Sequence, residues 1–346
     1  MKFYYLLIVA LIFAFVPVSN AQVTGLSGWN IYLDPGHSQD ENPGIYGLSE
    51  AKKNLRVALE VRNLLLTTTD IDTVYMCRTN DDQNVALEQR TAEANALGAA
   101  WYHSCHSDAS DSPLNNTCLL LWGQYSDGTE KIPHGGQAMS GPMIDYLVRL
   151  MRAPSGRSWG DCSFYGGCNG GPYLFVNRTS NMPSELHEAG FHTNPVQNQL
   201  NMNKYFRLLQ AKSVYWAILR YKSATIPTNR AVTGIITDIE NGTPINGAVV
   251  TYNGQVDTTD TYETVFHNYT TDPNLLHNGY YYFEGLPTGS KQLKITKAGY
   301  EDFTLNVTPA DTFVTFVDAQ IVSKVPPKVV ITSPAGVDSI YPGLDN

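Results

Sequence analysis

Residues 31–39, Ile-Tyr-Leu-Asp-Pro-Gly-His-Ser-Gln, deliver the first side chain with chemical promise. Ile31, Tyr32 and Leu33 have the apolar character of a short buried strand. Asp34, Pro35 and Gly36 then end it, because proline cannot donate to a sheet ladder and glycine permits a sharp exit. His37 follows at the strand's carboxyl end, where open α/β sheets place their ligands. Further along, Glu50, His106 and Glu188 complete a set with a defined capacity. Two neutral imidazoles and one carboxylate can bind Zn2+ and leave a position open for water. A further carboxylate can take that water's proton. The residue types permit a metal hydrolase, but spacing alone does not single these four out of 8 histidines and 32 acidic residues.

The elements that would position them alternate. Ser49 has the character of a helix N-cap, with acidic Glu50 in the first turn where the macrodipole favours it. Ala51, Leu55, Ala58, Leu59 and Leu66 then recur at helical spacing. A second strand is expected over 73–77, followed by Arg78. A helix over 85–97 would carry Leu87, Ala94 and Leu97 on one face, and a third strand over 99–105 would end at His106. Arg78 and Arg90 are expected to brace loops and helices. This alternation implies a layered, mostly parallel α/β sheet flanked by helices. His103 and His106 lie three apart and face opposite sides of a regular strand. His106, nearest the carboxyl end, is the better site candidate, and His103 a hydrogen-bonded packing residue. After an irregular polar stretch containing a strand-like apolar run at 118–122, a helix is expected over 136–152. Strands are expected over 173–176 and 184–188, and a final helix over 201–222 with Tyr205, Leu208, Leu209, Val214, Tyr215, Ile218 and Leu219 as its stripe.

The selection of the four residues comes from resemblance. Leu33-Asp-Pro-Gly-His37, Glu50 opening the first helix, Arg78, Leu87-x-x-Arg90 and Ala94-Asn95 occur in order. Ser104-Cys-His-Ser-Asp-Ala109 and Glu188-Ala-Gly-Phe-His-Thr-Asn194 follow. Across residues 31–222 the chain resembles the zinc-dependent N-acetylmuramoyl-L-alanine amidases of the amidase_3 type. The resemblance implies His37, Glu50 and His106 as zinc ligands and Glu188 as the catalytic carboxylate. It implies cleavage of the bond between the lactyl group of N-acetylmuramic acid and L-alanine in peptidoglycan. The chain departs from the family's pattern at Ser38-Gln39, where glycines are usual, at Asp108, where asparagine is usual, and at the polar Ser184-Glu-Leu-His187. These changes flank the four positions without removing any. His187 and His192 are expected as additional polar contacts. Two other functions fit the same residues: a zinc peptidase acting on peptide bonds, and a non-catalytic wall-binding protein that keeps the fold.

Composition sets the outer bounds. The chain has 346 residues, 42% hydrophobic and 16% charged, which suits two globular domains. A net charge of −9 lacks the basic face that nucleic acid requires. Lys2, the apolar run from Leu6 to Val16 and Ser19-Asn20-Ala21 form a signal peptide with expected cleavage after Ala21, implying a secreted or periplasmic protein without stable membrane insertion. The apolar run is too short to span a bilayer comfortably. Export makes the 5 cysteines disulfide candidates, with Cys162 and Cys168 able to close a local loop and at least one thiol left over. The 21 tyrosines suit exposed β-structure and carbohydrate-facing surfaces.

Beyond residue 223 the composition turns to Thr, Gly, Val and Tyr. Short strands over 232–237, 248–252, 280–283, 292–296 and 303–307, with turns at Asn241-Gly242 and Asn246-Gly247, indicate an all-β sandwich. Gly234-Ile-Ile-Thr-Asp238, Pro244-Ile-Asn-Gly-Ala248, Tyr282-Phe-Glu-Gly-Leu-Pro287 and Lys297-Ala-Gly-Tyr300 are similar to carboxypeptidase regulatory-like domains, which serve as accessory or spacer modules. The expected organisation is a signal peptide over 1–21, a zinc amidase domain over 22–223, a linker over 224–230 and the β-sandwich over 231–323. Residues 324–346 are a tail or the start of a further β-module. Nothing in the sequence specifies an oligomeric state.

Overall fold

The computed structural model describes residues 22–259, 277–311 and 313–324. The expected signal peptide and most of the tail lie outside the described residues. Two compact units emerge: one runs to Asn198 and adds Arg207–Pro227, and the other takes Gln199–Phe206 and the residues from Thr228 onward. Among the described residues, no helix is long and apolar enough to cross a membrane.

The first unit is α/β, as expected. Strands β1 (Asn30–Pro35), β2 (Thr73–Met76), β3 (Tyr102–Asp108), β4 (Cys118–Trp122), β5 (Gly156–Gly160) and β6 (Ser184–Phe191) form one sheet in the order β2-β1-β3-β6-β4-β5. The sheet is parallel except where β4 runs against β6. Helix α1 (Glu50–Thr68) is capped as the sequence suggests, with Ser49 Oγ accepting from the Lys52 N–H at 3.2 Å. On one face of the sheet Tyr32, Tyr102, Leu186, Ala94 and Val176 share a core.

Several elements differ from expectation, each for a local reason. Helix α2 (Leu87–Ala96) buries Arg90, Thr91 and Ala94, whereas Leu87 and Leu97 are about two-fifths exposed. Arg90 Nη1 binds the buried Asp34 carboxylate at 3.0 Å, so an ion pair turns this face inward. Helix α3 (Gly136–Leu150) is followed by β5, an edge strand without alternation, and by the short helix α4 (Asp161–Phe164). The expected strand at 173–176 is instead the start of a one-turn helix, α5 (Phe175–Thr179). Its root is fixed by Asp161 Oδ2, which accepts from Leu174 N and Asn177 Nδ2, both at 3.0 Å. The expected final helix is α7 (Lys204–Tyr221), preceded by a separate helix, α6 (Pro195–Met202), that the sequence pattern did not mark. Between them Asn203 Oδ1 accepts from the Tyr205 N–H at 2.9 Å, as a capping side chain does. From Ala211 to Leu219 every residue of α7 is buried, so the apolar stripe understates its packing.

The second unit is all-β. Strands β7 (Ala231–Asp238), β8 (Val249–Tyr252), β9 (Gln255–Thr258), β10 (Tyr280–Phe283), β11 (Lys291–Thr296), β12 (Phe303–Val307), β13 (Val314–Phe316) and β14 (Ala319–Ile321) make two sheets. One is ordered β10-β7-β13 with β14 also on β7, the other β12-β11-β8-β9. Val232, Ile236 and Tyr281 from the first sheet share a core with Val250, Leu293 and Ile295 from the second.

Candidate metal centre

The centre forms where β1, β3 and β6 end and α1 begins. After β1 the chain turns at Gly36, where an added Cβ would fall 2.2 Å from the His106 ring. Only glycine lets the two histidine segments approach this closely. His37 then adopts φ 62°, a state few non-glycine residues take. Two buried arginines hold that turn. Arg78 donates to the carbonyls of Pro35, Gly36 and Ala51 at 3.1, 3.1 and 2.7 Å. Arg90 donates to the His37 carbonyl at 3.2 Å. The bracing role expected for both is what they do.

Glu50, only 2% exposed, lies between the two imidazoles. Its Oε1 is 2.9 Å from His106 Nδ1 and its Oε2 3.1 Å from His37 Nε2. The two rings meet edge-on at 4.9 Å. One donor atom from each of the three residues lies within 4.8 Å of the others. Burial alone would raise the Glu50 carboxyl, but its bonds to His106 and His37 and their charges hold it well below the usual carboxylate range. The donor set, two imidazoles and an ionised carboxylate converging on one point, fits a divalent metal of borderline softness.

Glu188 is the register partner of His106, one strand over on β6. Its Oε2 is shielded from solvent and, among the described residues, has no hydrogen-bond partner. Burial, then the charges of Glu50 and Asp108, push its carboxyl well above the ordinary value, with Lys53 opposing. An unsatisfied buried carboxylate is costly unless it has work to do.

Sequence reasoning missed several contributors. Asn42 Nδ2 donates to Glu50 Oε2 at 2.9 Å and lies 3.1 Å from His37 Nε2. It sits in an irregular loop with no pattern to mark it. Asn54 follows Glu50 by one helical turn and donates to its Oε1 at 3.3 Å, a spacing that was legible. Lys53 is buried, donates to the His106 carbonyl at 3.1 Å, and is pushed down to about 8 by burial against the pull of Glu50 and Glu188. His192, by contrast, was expected as an additional polar contact: its Nδ1 approaches Glu50 Oε2 to only 3.9 Å and bonds the Ser107 carbonyl at 3.0 Å.

A second trio, His103, Cys105 and His187, also comes within ligand distance. It is fully occupied by hydrogen bonds. His103 Nδ1 meets Glu185 Oε1 at 2.5 Å, His103 Nε2 meets His187 Nδ1 at 3.0 Å, and His187 Nε2 meets Gln210 Nε2 at 2.9 Å. Trp101 Nε1 donates to the same Glu185 oxygen at 3.1 Å. All four imidazole nitrogens are taken, so this is a buried polar chain and not an open site.

Residues 31–220 match the Amidase_3 family of N-acetylmuramoyl-L-alanine amidases, more than half of the chain, and the chain belongs to that family. It is 41% identical over 80 residues to the N-acetylmuramoyl-L-alanine amidase CwlM of Bacillus licheniformis, covering 23% of this chain and 31% of that one. It is 29% identical over 212 residues to the germination-specific N-acetylmuramoyl-L-alanine amidase of Bacillus subtilis (strain 168), covering 57% and 81%. Among solved structures it is similar to the catalytic domain of CwlV from Bacillus (Paenibacillus) polymyxa var. colistinus. There the TM-score is 0.46 and the identity 22%, covering 57% of this chain and 99% of that one. The chain thus spans less than a third of the first relative and most of the second.

Proposed function

We propose that this chain is an exported zinc hydrolase that cleaves the amide between the lactyl group of N-acetylmuramic acid and L-alanine in peptidoglycan. The observation that carries the reading is the convergence of His37, Glu50 and His106 beside a shielded, unpartnered Glu188 oxygen. His37, Glu50 and His106 would hold the ion. When bound, zinc supplies Lewis acidity toward the amide carbonyl and lowers the pKa of water. Glu188 takes the proton of the attacking water and returns one to the departing alanine nitrogen. Burial, with the charges of Glu50 and Asp108, raises its pKa, which strengthens it as an acceptor of that proton. Asn42 and Asn54 fix the Glu50 carboxylate, and Arg78 and Arg90 fix the His37 turn. The second unit serves as an accessory or spacer module.

Digestion of purified sacculi with the zinc-loaded chain tests this. The expected products are stem peptides with free L-alanine amino termini and peptide-free glycan. Release of internal or terminal amino acids would make the enzyme a peptidase. Binding to sacculi with stoichiometric zinc and no new amino groups would make it a binding protein.

A further inference from the structure

The cleft at the metal centre, about 400 Å³, leads into a second groove. Leu174 and Phe175 line both; the second, about 920 Å³, also takes in Cys168, Asn169, Tyr173 and Arg178. At this side of the unit the aromatic rings are not in the core. Trp159 meets Phe164 edge-on at 5.8 Å, Phe164 meets Tyr165 edge-on at 4.9 Å, and Tyr165 stacks on Tyr173 at 4.0 Å with planes 14° apart. Phe164, Tyr165 and Tyr173 are 38%, 44% and 46% exposed, so packing does not explain why three large rings stand side by side here.

The run is held in place. The Cys162–Cys168 disulfide closes the loop that carries Phe164 and Tyr165. At its root the buried Asp161 accepts from Gln124 N through Oδ1 and from Leu174 N and Asn177 Nδ2 through Oδ2, each at 3.0 Å. One carboxylate therefore ties the disulfide loop to the segment that carries Tyr173. Gln124 Oε1 accepts from the Ser163 N–H at 2.9 Å. Such a fixed surface loses little entropy on binding. It also faces the chemistry. Leu174 and Phe175, which follow Tyr173 in the chain, line the cleft together with His37 and His106, and burial, with the charges of Glu188 and Asp108, pushes the Tyr165 phenol up to about 12.

We propose that the Tyr165–Tyr173 stack is a saccharide subsite that takes a pyranose ring of the glycan strand beside the scissile amide. The identity of the polymer rests on the amidase reading above; the stack itself does not. A pyranose presents a flat, weakly polarised C–H face that lies on an aromatic ring, and its hydroxyls suit the amide of Asn169. The stem peptide fits less well. It carries carboxylates, and the neighbours are Glu188, Asp108 and Asp161. The nearby cation, Arg178, donates Nη1 to the carbonyls of Pro172 and Tyr173 at 3.0 and 2.9 Å.

The test is calorimetric titration of the full zinc-loaded chain with two probes: a peptide-free tetrasaccharide of alternating N-acetylglucosamine and N-acetylmuramic acid, and a free stem tetrapeptide. The tetrasaccharide should bind, Tyr165→Ala and Tyr173→Ala should each weaken it by about tenfold, and Tyr165→Phe should keep it. Tetrapeptide binding should not change in any variant. Unchanged tetrasaccharide affinity in both alanine variants overturns the proposal, as does loss of tetrapeptide binding alone. Amino-group release from sacculi is scored separately on the wild-type chain. Its absence, with the glycan still bound through the stack, would overturn the amidase reading and leave the subsite standing.

Discussion

His106 and Glu188 stand at the same level of β3 and β6, three residues beyond an equivalent pair, His103 and Glu185. An offset of three reverses the face on a regular strand. The same two strands therefore build two histidine–glutamate pairs with opposite fates. His103 and Glu185 are sealed into a hydrogen-bonded chain that ends at Gln210. His106 turns instead to Glu50, and Glu188 is left with an unpartnered oxygen.

Glu188→Gln should keep zinc and lose turnover. The amide matches the carboxyl in shape but cannot accept the water proton, and loss of a positioned base costs roughly 10²–10⁴-fold. Zinc content by mass spectrometry and amine release from muropeptides check the two halves. A wild-type rate would remove Glu188 from the chemistry.

The two histidines of β3 should separate cleanly. His106→Ala should release zinc, because two remaining protein ligands do not hold the ion in a catalytic geometry. His103→Ala should retain it but lose about 3 kcal/mol of stability, since Glu185 is left buried without its partner. Zinc content and urea unfolding on each variant decide it. An empty site in His103→Ala would move the metal to the other face of the sheet.

How much of this was legible depends on where the signal lay. Strand parity put His103 and His106 on opposite faces, the place of His106 nearest the carboxyl end favoured it, and α1 followed from Ser49 and its apolar spacing, because these signals are local. The inward face of α2 was misread because Arg90 and Thr91 are buried there by polar bonds, which an apolar count cannot register. The 173–176 stretch has strand-like residues but is bent into α5 by Asp161, twelve residues upstream of Tyr173 and recognisable only in three dimensions. Asn42 gave no sign in the sequence, and its role exists only because the chain folds back over Glu50.

The Asp34–Arg90 pair should make stability fall in acid. Burial would raise the Asp34 carboxyl, but Arg90, His106, Tyr102 and Ser104 outweigh it and hold it below its ordinary 3.8. Because the folded value is depressed, the contribution is fully present above the unfolded value and is lost as pH falls through the folded one. Asp34→Asn should cost about 3 kcal/mol at pH 7, where Arg90 loses its buried partner. Urea unfolding should show the gap between wild type and variant closing as pH drops below 3.8. A gap that persists undiminished in acid would mean that shape, not charge, is what Asp34 supplies.

A fragment covering residues 22–223 contains every residue of the candidate site and should bind zinc and cleave soluble muropeptides. Its stability should nevertheless fall. Gln199–Phe206 belongs to the second compact unit, where Tyr205 stacks on Tyr282 at 5.2 Å and Phe206 meets Tyr280 edge-on at 5.6 Å. Gln199 Oε1 accepts from His277 N at 2.9 Å, and its carbonyl from Asn278 Nδ2 at 3.2 Å. Deleting the β-unit removes all four partners from a stretch that joins α6 to α7, and uncovers Phe206, which is now fully buried. Exposing one such ring forfeits roughly 2 kcal/mol, a shift of several degrees in Tm for a domain of this size. Phe206→Ser in the fragment should recover solubility without changing zinc content, because the residue would then face water rather than Tyr280. Calorimetry on the full chain and both fragments checks this. A fragment that melts with the full chain would show that Gln199–Phe206 is held by the α/β unit alone, and a metal-free fragment would make the β-unit part of the catalytic fold.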